Sequence, residues 1–514
     1  MVLVLVGCGT AARPSPVPAS EESSARPGPR DLAVEVAKPI AVVASRPRPG
    51  FEGWPKLSAT LAEPSGKTLV QLRRRAARKR ASEAELRALA VALLNRANEQ
   101  SDPNGGAAGE LREQARQTMD RLKERPKAGV DPRSLELWAY CLARVGRYDE
   151  ALKKLAVLRE RGALSGFALA LSTTCMLRGK RFEDAGPLFS VPLPADVDPY
   201  LPYSRAWLRF QAADLRGSYV DMAAAAKHWA EQAPAAFDSE LAMMAAHARV
   251  PAAEVSRLLA QLPGDRAEKL HVLATAYRKV GEYRFALETL AMLGDAAGVR
   301  RAVRFRRRSD LHYQLGEPAS AAEQLLVAMD RIASSSCSDD PQRCSQVRSK
   351  LNERAIDMAR FFHTVYVTTQ DPAYFGPARD LYAALVRTSG RRQDLQQALR
   401  DLEHYKLAAK PHTGLHAAEI LAPFVHARVD TVAGCYRAAL VSESELSGVM
   451  RITWSIDASG AVTGAASEPP KGQSGLARVA DCVMAQGRGW RYPARVVPGE
   501  TRLTVRYELA QRPE

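Results

Sequence analysis

Seven cysteines and nine histidines carry most of the chemistry open to this chain. Cys337 and Cys344 bracket the polar run SDDPQR, which has neither helical nor strand periodicity. A bridge across so short a loop would stabilise by about 2–3 kcal/mol in the chain-entropy model. Such bonds persist in oxidising compartments. Two thiols are also only half of the four ligands a structural zinc site needs. His412 and His416 stand four apart, with His404 and His426 nearby, a spacing that can hold a metal on a helix. Pro411 and Gly414 interrupt that helix and no third ligand accompanies the pair, so no metal and no cofactor is assigned. The acid pairs Asp149–Glu150 and Glu183–Asp184 fall at turns, where carboxylates favour a helix N-terminus. The chain has no phosphate-cradling G-x-x-x-x-G-K-[ST], no G-x-S-x-G and no H-E-x-x-H. These residues point away from an enzyme and from a small-molecule substrate.

The elements that would position any site are mainly helical. The chain has 514 residues, room for roughly two to four domains. Hydrophobic residues make up 46%, enough for ordinary cores, and aromatics only 6%. Abundant Ala and Leu bias the chain toward helix. The net charge of +16 invites acidic proteins, nucleic acid or anionic surfaces. The arginines are spread along the chain, which reads first as composition and second as a binding face.

Cys8 ends the apolar run LVLVG and is followed by RPSPVPASEESSARPGPR. LVGC resembles the lipobox of bacterial lipoproteins, in which the cysteine becomes the lipidated N-terminus. Each buried acyl CH2 contributes about 0.8 kcal/mol, so a multiply acylated Cys8 would be a firm anchor. Residues 1–8 therefore read as a truncated lipoprotein signal, and residues 9–80 as a disordered Pro/Ser/Ala-rich tether. No stretch is long and apolar enough to read as a membrane span.

From residue 81 to 410 helix follows helix. LWAYCLARVGRYDEAL carries Trp138, Leu142, Gly146, Tyr148 and Ala151, and LATAYRKVGEYRFAL carries Leu273, Tyr277, Gly281, Tyr283 and Ala286. Both resemble the tetratricopeptide repeat. Ala151 and Ala185 lie 34 apart, Ala286 and Ala321 lie 35 apart, and 101 residues separate Ala185 from Ala286. The repeat period is 34, so that interval holds about three units. Cys141 and Cys175, also 34 apart, occupy equivalent positions roughly 8–10 Å from each other and read as packing residues. The resemblance implies an α-solenoid whose groove takes a peptide or protein segment. Two basic helices, LRRRAARKRA from Leu72 and VRRAVRFRRR from Val299, could line it. Interleaved aromatics for base stacking are absent apart from Phe305, which disfavours nucleic acid.

Residues 411–514 change texture. A helical stretch near 414–440 precedes a strand in which Met450, Ile452, Trp454 and Ile456 alternate with polar residues. DASG turns into a second strand, a helix carries Leu476, Val479, Ala480 and Val483, and a last strand alternates Leu503, Val505, Tyr507 and Leu509. This order, with CY at Cys435–Tyr436, DCVMAQGRGWRYP and the final strand, resembles the C-terminal domain of myxobacterial AgmX/PglI-type proteins, itself similar to the TonB C-terminal domain. The resemblance implies a small α+β adaptor and a bridge between Cys435 and Cys482. The residues themselves leave two buried thiols as the alternative.

The expectation is a mainly α chain: a tetratricopeptide-type solenoid followed by a TonB-like unit. It would be a non-enzymatic adaptor, lipid-anchored in the cell envelope, facing the periplasm from the outer membrane. The competing expectation is a soluble cytoplasmic repeat protein that binds an acidic protein or nucleic acid.

Overall fold

Capping residues explain where many of the helices begin. Thr68 and Ser82 each accept from the backbone three residues on, and Gln71 and Glu85 reach back to them, closing two capping boxes. Asp131 caps a helix opened by Pro132, and Ser165 and Asp265 cap two more. The computed structural model describes residues 30–36, 39–43, 68–78, 80–100, 102, 105–124, 129–193, 200–228, 237–294, 298–334, 340–369, 371–389, 392–408, 418–440, 443, 445–468, 474–492 and 500–512. Cys8, Cys337, His412 and His416 lie outside them.

The protein is mainly helical, with a small sheet built largely at its C-terminal end. After the strands β1 (Arg30–Glu35) and β2 (Ile40–Val43) come α1 (Leu69–Ala76), α2 (Glu83–Asn98), α3 (Gly106–Asp120), α4 (Pro132–Arg144), α5 (Tyr148–Glu160), α6 (Gly166–Arg178), α7 (Gly186–Phe189), α8 (Tyr200–Gln211) and α9 (Leu215–His228). The stack continues with α10 (Phe237–His247), α11 (Ala252–Leu259), α12 (Arg266–Lys279), α13 (Tyr283–Ala291), α14 (Gly298–Gln314), α15 (Pro318–Ala333), α16 (Pro341–Thr369), α17 (Pro372–Ser389) and α18 (Gln393–Ala408). Last come α19 (Ala418–Ala427), α20 (Val429–Leu440), β3 (Gly448–Ile456), β4 (Val462–Glu468), α21 (Ser474–Gly487) and β5 (Thr501–Arg512).

Helices pack on their neighbours in the chain, and the turns inside the hairpins repeat one conformation. Gly146, Lys180, Ala213, Arg249, Gly281 and Gly316 all have φ between 54° and 83°. Their spacings are 34, 33, 36, 32 and 35 residues. At each, the next residue's N–H returns to a carbonyl five back, as in Arg147 to Leu142 at 2.9 Å, Asp214 to Arg209 at 2.9 Å and Glu317 to His312 at 3.0 Å. This is the left-handed helix stop that satisfies orphan carbonyls. Three of the six positions are not glycine, at a cost of roughly 1–2 kcal/mol each. The regularity ends at α16, which is 29 residues long. Cys344, expected in a loop, is buried in the first turn of that helix.

The expected tether supplies part of the fold. Within residues 9–80 the chain forms β1, β2 and α1. β1 and β2 both pair parallel with β5, end to end on one edge: Arg30 to Glu35 lie beside Thr501 to Arg506, and Ile40 to Val43 beside Leu509 to Arg512. β5 pairs antiparallel with β3, and β3 with β4. Five strands thus make a sheet four strands wide, and its first edge comes from the other end of the chain. The cause is local: Leu32, Val34 and Val36 alternate with Asp31, Ala33 and Glu35, and Val34, Val36 and Ile40 are buried. On the inner face Ile452 pairs with Val505 and Trp454 with Leu503, all fully buried. One apolar cluster runs from Val34 through α15, α16 and α17 to Leu509, so the C-terminal unit shares its core with the helices before it.

Residues 411–514 therefore lack an edge of their own sheet. In the intact chain, Val34→Asp should expose the outer edge of β5 and speed amide exchange at residues 501–506 by about tenfold or more. Unchanged protection there would show that β1 contributes nothing to the sheet.

Candidate functional site

The predicted site residues end in different surroundings. Cys435 on α20 and Cys482 on α21 form a disulfide with Cα atoms 5.8 Å apart. Cys344 is also disulfide-bonded, and Cys337 lies outside the described residues. Cys141 and Cys175 are free, fully buried thiols, and burial pushes both up, Cys175 to about 12. They are inert packing groups. His404 and His426 are exposed on α18 and α19. Among the described residues no three His, Cys, Asp or Glu side chains gather as a metal site would require. None of the described helices is long and apolar enough to cross a membrane.

The structure does bring together the joint between the helical stack and the sheet unit. α20 crosses the α12–α13 turn so closely that a Cβ on Gly434 would come within 3.0 Å of the Lys279 carbonyl. Thr431 Oγ1 donates to Tyr283 Oη at 3.1 Å, and Arg437 donates to Lys279 O at 2.9 Å. From α21, Gln486 donates to Glu282 at 2.6 Å, and Glu282 also pairs with Arg249 at 2.8 Å. Burial pushes the Glu282 carboxyl up while Arg249 pulls it down.

Arg428, between α19 and α20, is the second pin. It is buried, donates to Phe424 O at 2.7 Å and Arg491 O at 2.8 Å, and lies over the Trp490 and Tyr492 rings at 5.3 and 5.1 Å. A Cβ on Gly316 would come within 2.9 Å of its guanidinium, so the α14–α15 turn must be bare there. Trp490 and Tyr492 are packed around this arginine.

Beside the α12–α13 turn lies a cleft of about 360 Å³ lined by Leu215, His247, Arg249, Glu282 and the Cys435–Cys482 bridge. Arg249 approaches Cys482 Sγ at 3.6 Å. The His247 Nδ1 is buried without a hydrogen-bond partner, and burial pushes its pKa down to about 4, with Arg437 adding to the shift. The ring is therefore neutral at pH 7. Cations and carboxylates already neutralise each other in this cleft, so it holds no converging set for one ligand.

The remaining feature is the sheet's far edge. β4 pairs with β3 alone, and beyond it among the described residues only an isolated bridge from Ala461 to Arg491 touches this end. Its residues Val462, Thr463, Gly464, Ala465, Ala466, Ser467 and Glu468 are half-buried or exposed, and most are small. An edge like this presents a row of free backbone donors and acceptors.

Sequence reasoning missed two participants. The period-2 alternation of Leu32, Val34 and Val36 could have revealed β1. Nothing in the sequence marked Arg428. No family model matches the chain, and no curated protein matches it significantly.

Proposed function

We propose that the protein is a non-enzymatic scaffold of the cell envelope, which docks protein partners on a tetratricopeptide-like solenoid and a TonB-like C-terminal unit. The observation that carries this reading is the edge of β4, unpaired among the described residues, with its small side chains. Strand addition needs such an edge: main-chain hydrogen bonds supply affinity, and small side chains let the incoming strand lie close. Six left-handed hairpin turns at a spacing near 34 support the solenoid assignment. The opposite sheet edge is already covered by β1 and β2, which leaves β4 as the docking side. The disulfides at Cys435–Cys482 and Cys344 agree with an oxidising compartment, and LVGC at Cys8 with a lipid anchor there.

Proline at the edge tests this. Of adjacent residues on β4, one N–H points to β3 and the next to solvent. Of Ala465→Pro and Ala466→Pro, the variant whose lost N–H faced solvent should keep its melting temperature within a few degrees yet lose partners cross-linked to wild type in the membrane fraction. Retention of the same partners by a stably folded proline variant would sink the strand-addition reading.

A further inference from the structure

We infer that the adjoining faces of α12 and α14, extended by Arg437 of α20, form a binding surface for an acidic, carboxylate-rich protein segment. The placement is helical. His271 and Arg278 are seven residues apart on α12, and Arg300, Arg304 and Arg307 follow at four and three on α14, so each set lines one face. The two faces meet, since Arg307 Nη1 lies 3.3 Å from His271 Nδ1. Arg304 reaches back to the Leu293 carbonyl at 3.1 Å, which fixes its stem.

Four of the arginines at this surface lack a carboxylate partner among the described residues. Elsewhere, exposed arginines on these hairpins find carboxylates: Arg284 has Glu317, Arg354 has Asp310 and Arg392 has Asp394. Arg278, Arg306, Arg307 and Arg437 have no ion pair among the described residues. They face one another instead. Arg306 and Arg278 add to burial in depressing Arg307, and Arg278 likewise adds to burial in depressing Arg437. At the ends, Asp265 toward His271, and Asp430 with Tyr283 toward Arg437, offset them. Holding like charges together is unfavourable until an anion arrives, so binding there relieves repulsion as it forms ion pairs.

The chemistry favours carboxylates on a peptide over nucleic acid. Phe305, the aromatic among these arginines, lies between Arg301 and Arg308 at 5.9 and 5.8 Å, so cations already occupy its surroundings. The large hydrophobic side chains exposed among the described residues are Val70 and Val220, and neither can stack a base. This inference extends the adaptor reading to a second surface. Its readout does not involve β4, so either can fail alone.

The test is fluorescence anisotropy of a labelled oligoglutamate peptide with the full chain at low salt. Duplex DNA and single-stranded RNA of matched charge serve as competitors. Arg278→Glu with Arg307→Glu should weaken oligoglutamate binding about tenfold or more and flatten its salt dependence. Arg343→Glu with Arg348→Glu on α16 makes the same change in net charge and should cost less than about twofold. Three results would overturn the assignment: no oligoglutamate binding by the wild type, equal losses in the two double variants, or tighter binding of either nucleic acid at the same salt.

Discussion

Trp454→Ala should be the most damaging single substitution in the sheet unit, costing about 3–5 kcal/mol. Trp454 is fully buried in β3, opposite Leu503 of β5, and its ring centroid lies 5.0 Å from that of Trp490. Trp490 in turn lies over Arg428, so the cavity would open beside the pin that fixes the unit to the α14–α15 turn. Chemical denaturation of the full chain, followed by the intrinsic fluorescence of this region, should show an early transition absent from wild type. The converse change gives an independent check. α21 ends at Gly487, where any Cβ would collide with the Trp454 ring. Gly487→Ala should therefore cost about 1–3 kcal/mol by overpacking. Adding Trp454→Phe, which removes the colliding part of the ring, should recover some of that loss. A Gly487→Ala variant as stable as wild type would mean that α21 does not press on β3 in this way.

Loss of the Cys435–Cys482 bridge should have the next largest effect. The two cysteines are 47 residues apart, and closing a loop of that size is worth about 4 kcal/mol in the chain-entropy model. The bond joins α20 to α21, and both helices carry contacts to the α12–α13 turn: Gly434, Thr431 and Arg437 from one, Gln486 from the other. Replacing both cysteines by serine should lower stability by about 2–5 kcal/mol and raise amide exchange in both helices. A loss below about 1 kcal/mol would show that packing of α20 on α21 holds the unit alone. Free thiols at both positions in protein taken from cells would remove the disulfide and much of the case for an oxidising compartment.

The parts of the fold legible in the sequence are those whose partners are near. β3 and β5 announced themselves because Met450 to Ile456 and Leu503 to Leu509 alternate cleanly, and one face of each is buried. Hairpin turns were visible where glycine takes the left-handed residue, at Gly146 and Gly281. They were obscured at Lys180, Ala213 and Arg249, where the same conformation is imposed on side-chain-bearing residues by the helices on either side. β1 was read as tether because proline and serine dominate its surroundings, and the strand it completes lies at the other end of the chain. The predicted single helix near 414–440 is two, α19 and α20, because Arg428 turns inward between them to cap Phe424 O. Of the candidate sites, the cysteine pair was legible through its surroundings. The cationic face was visible only as a run of arginines on α14. Its second half, His271 and Arg278, belongs to another helix, and only the stacking of hairpins joins them.

The pairing of β1 with β5 also sets a timetable. Glu35 and Arg506, ion-paired across it, are 471 residues apart. At about 5–20 residues per second of synthesis, the first strand emerges roughly 24–94 s before its neighbour exists. The helical hairpins can form in order behind it, each on the one before, while an apolar ribbon with Val34, Val36 and Ile40 waits unpaired at the front. The sheet is thus completed only when an early segment meets one made 471 residues later. A nascent chain stalled before β5 would have assembled helices and an orphan strand in search of an edge.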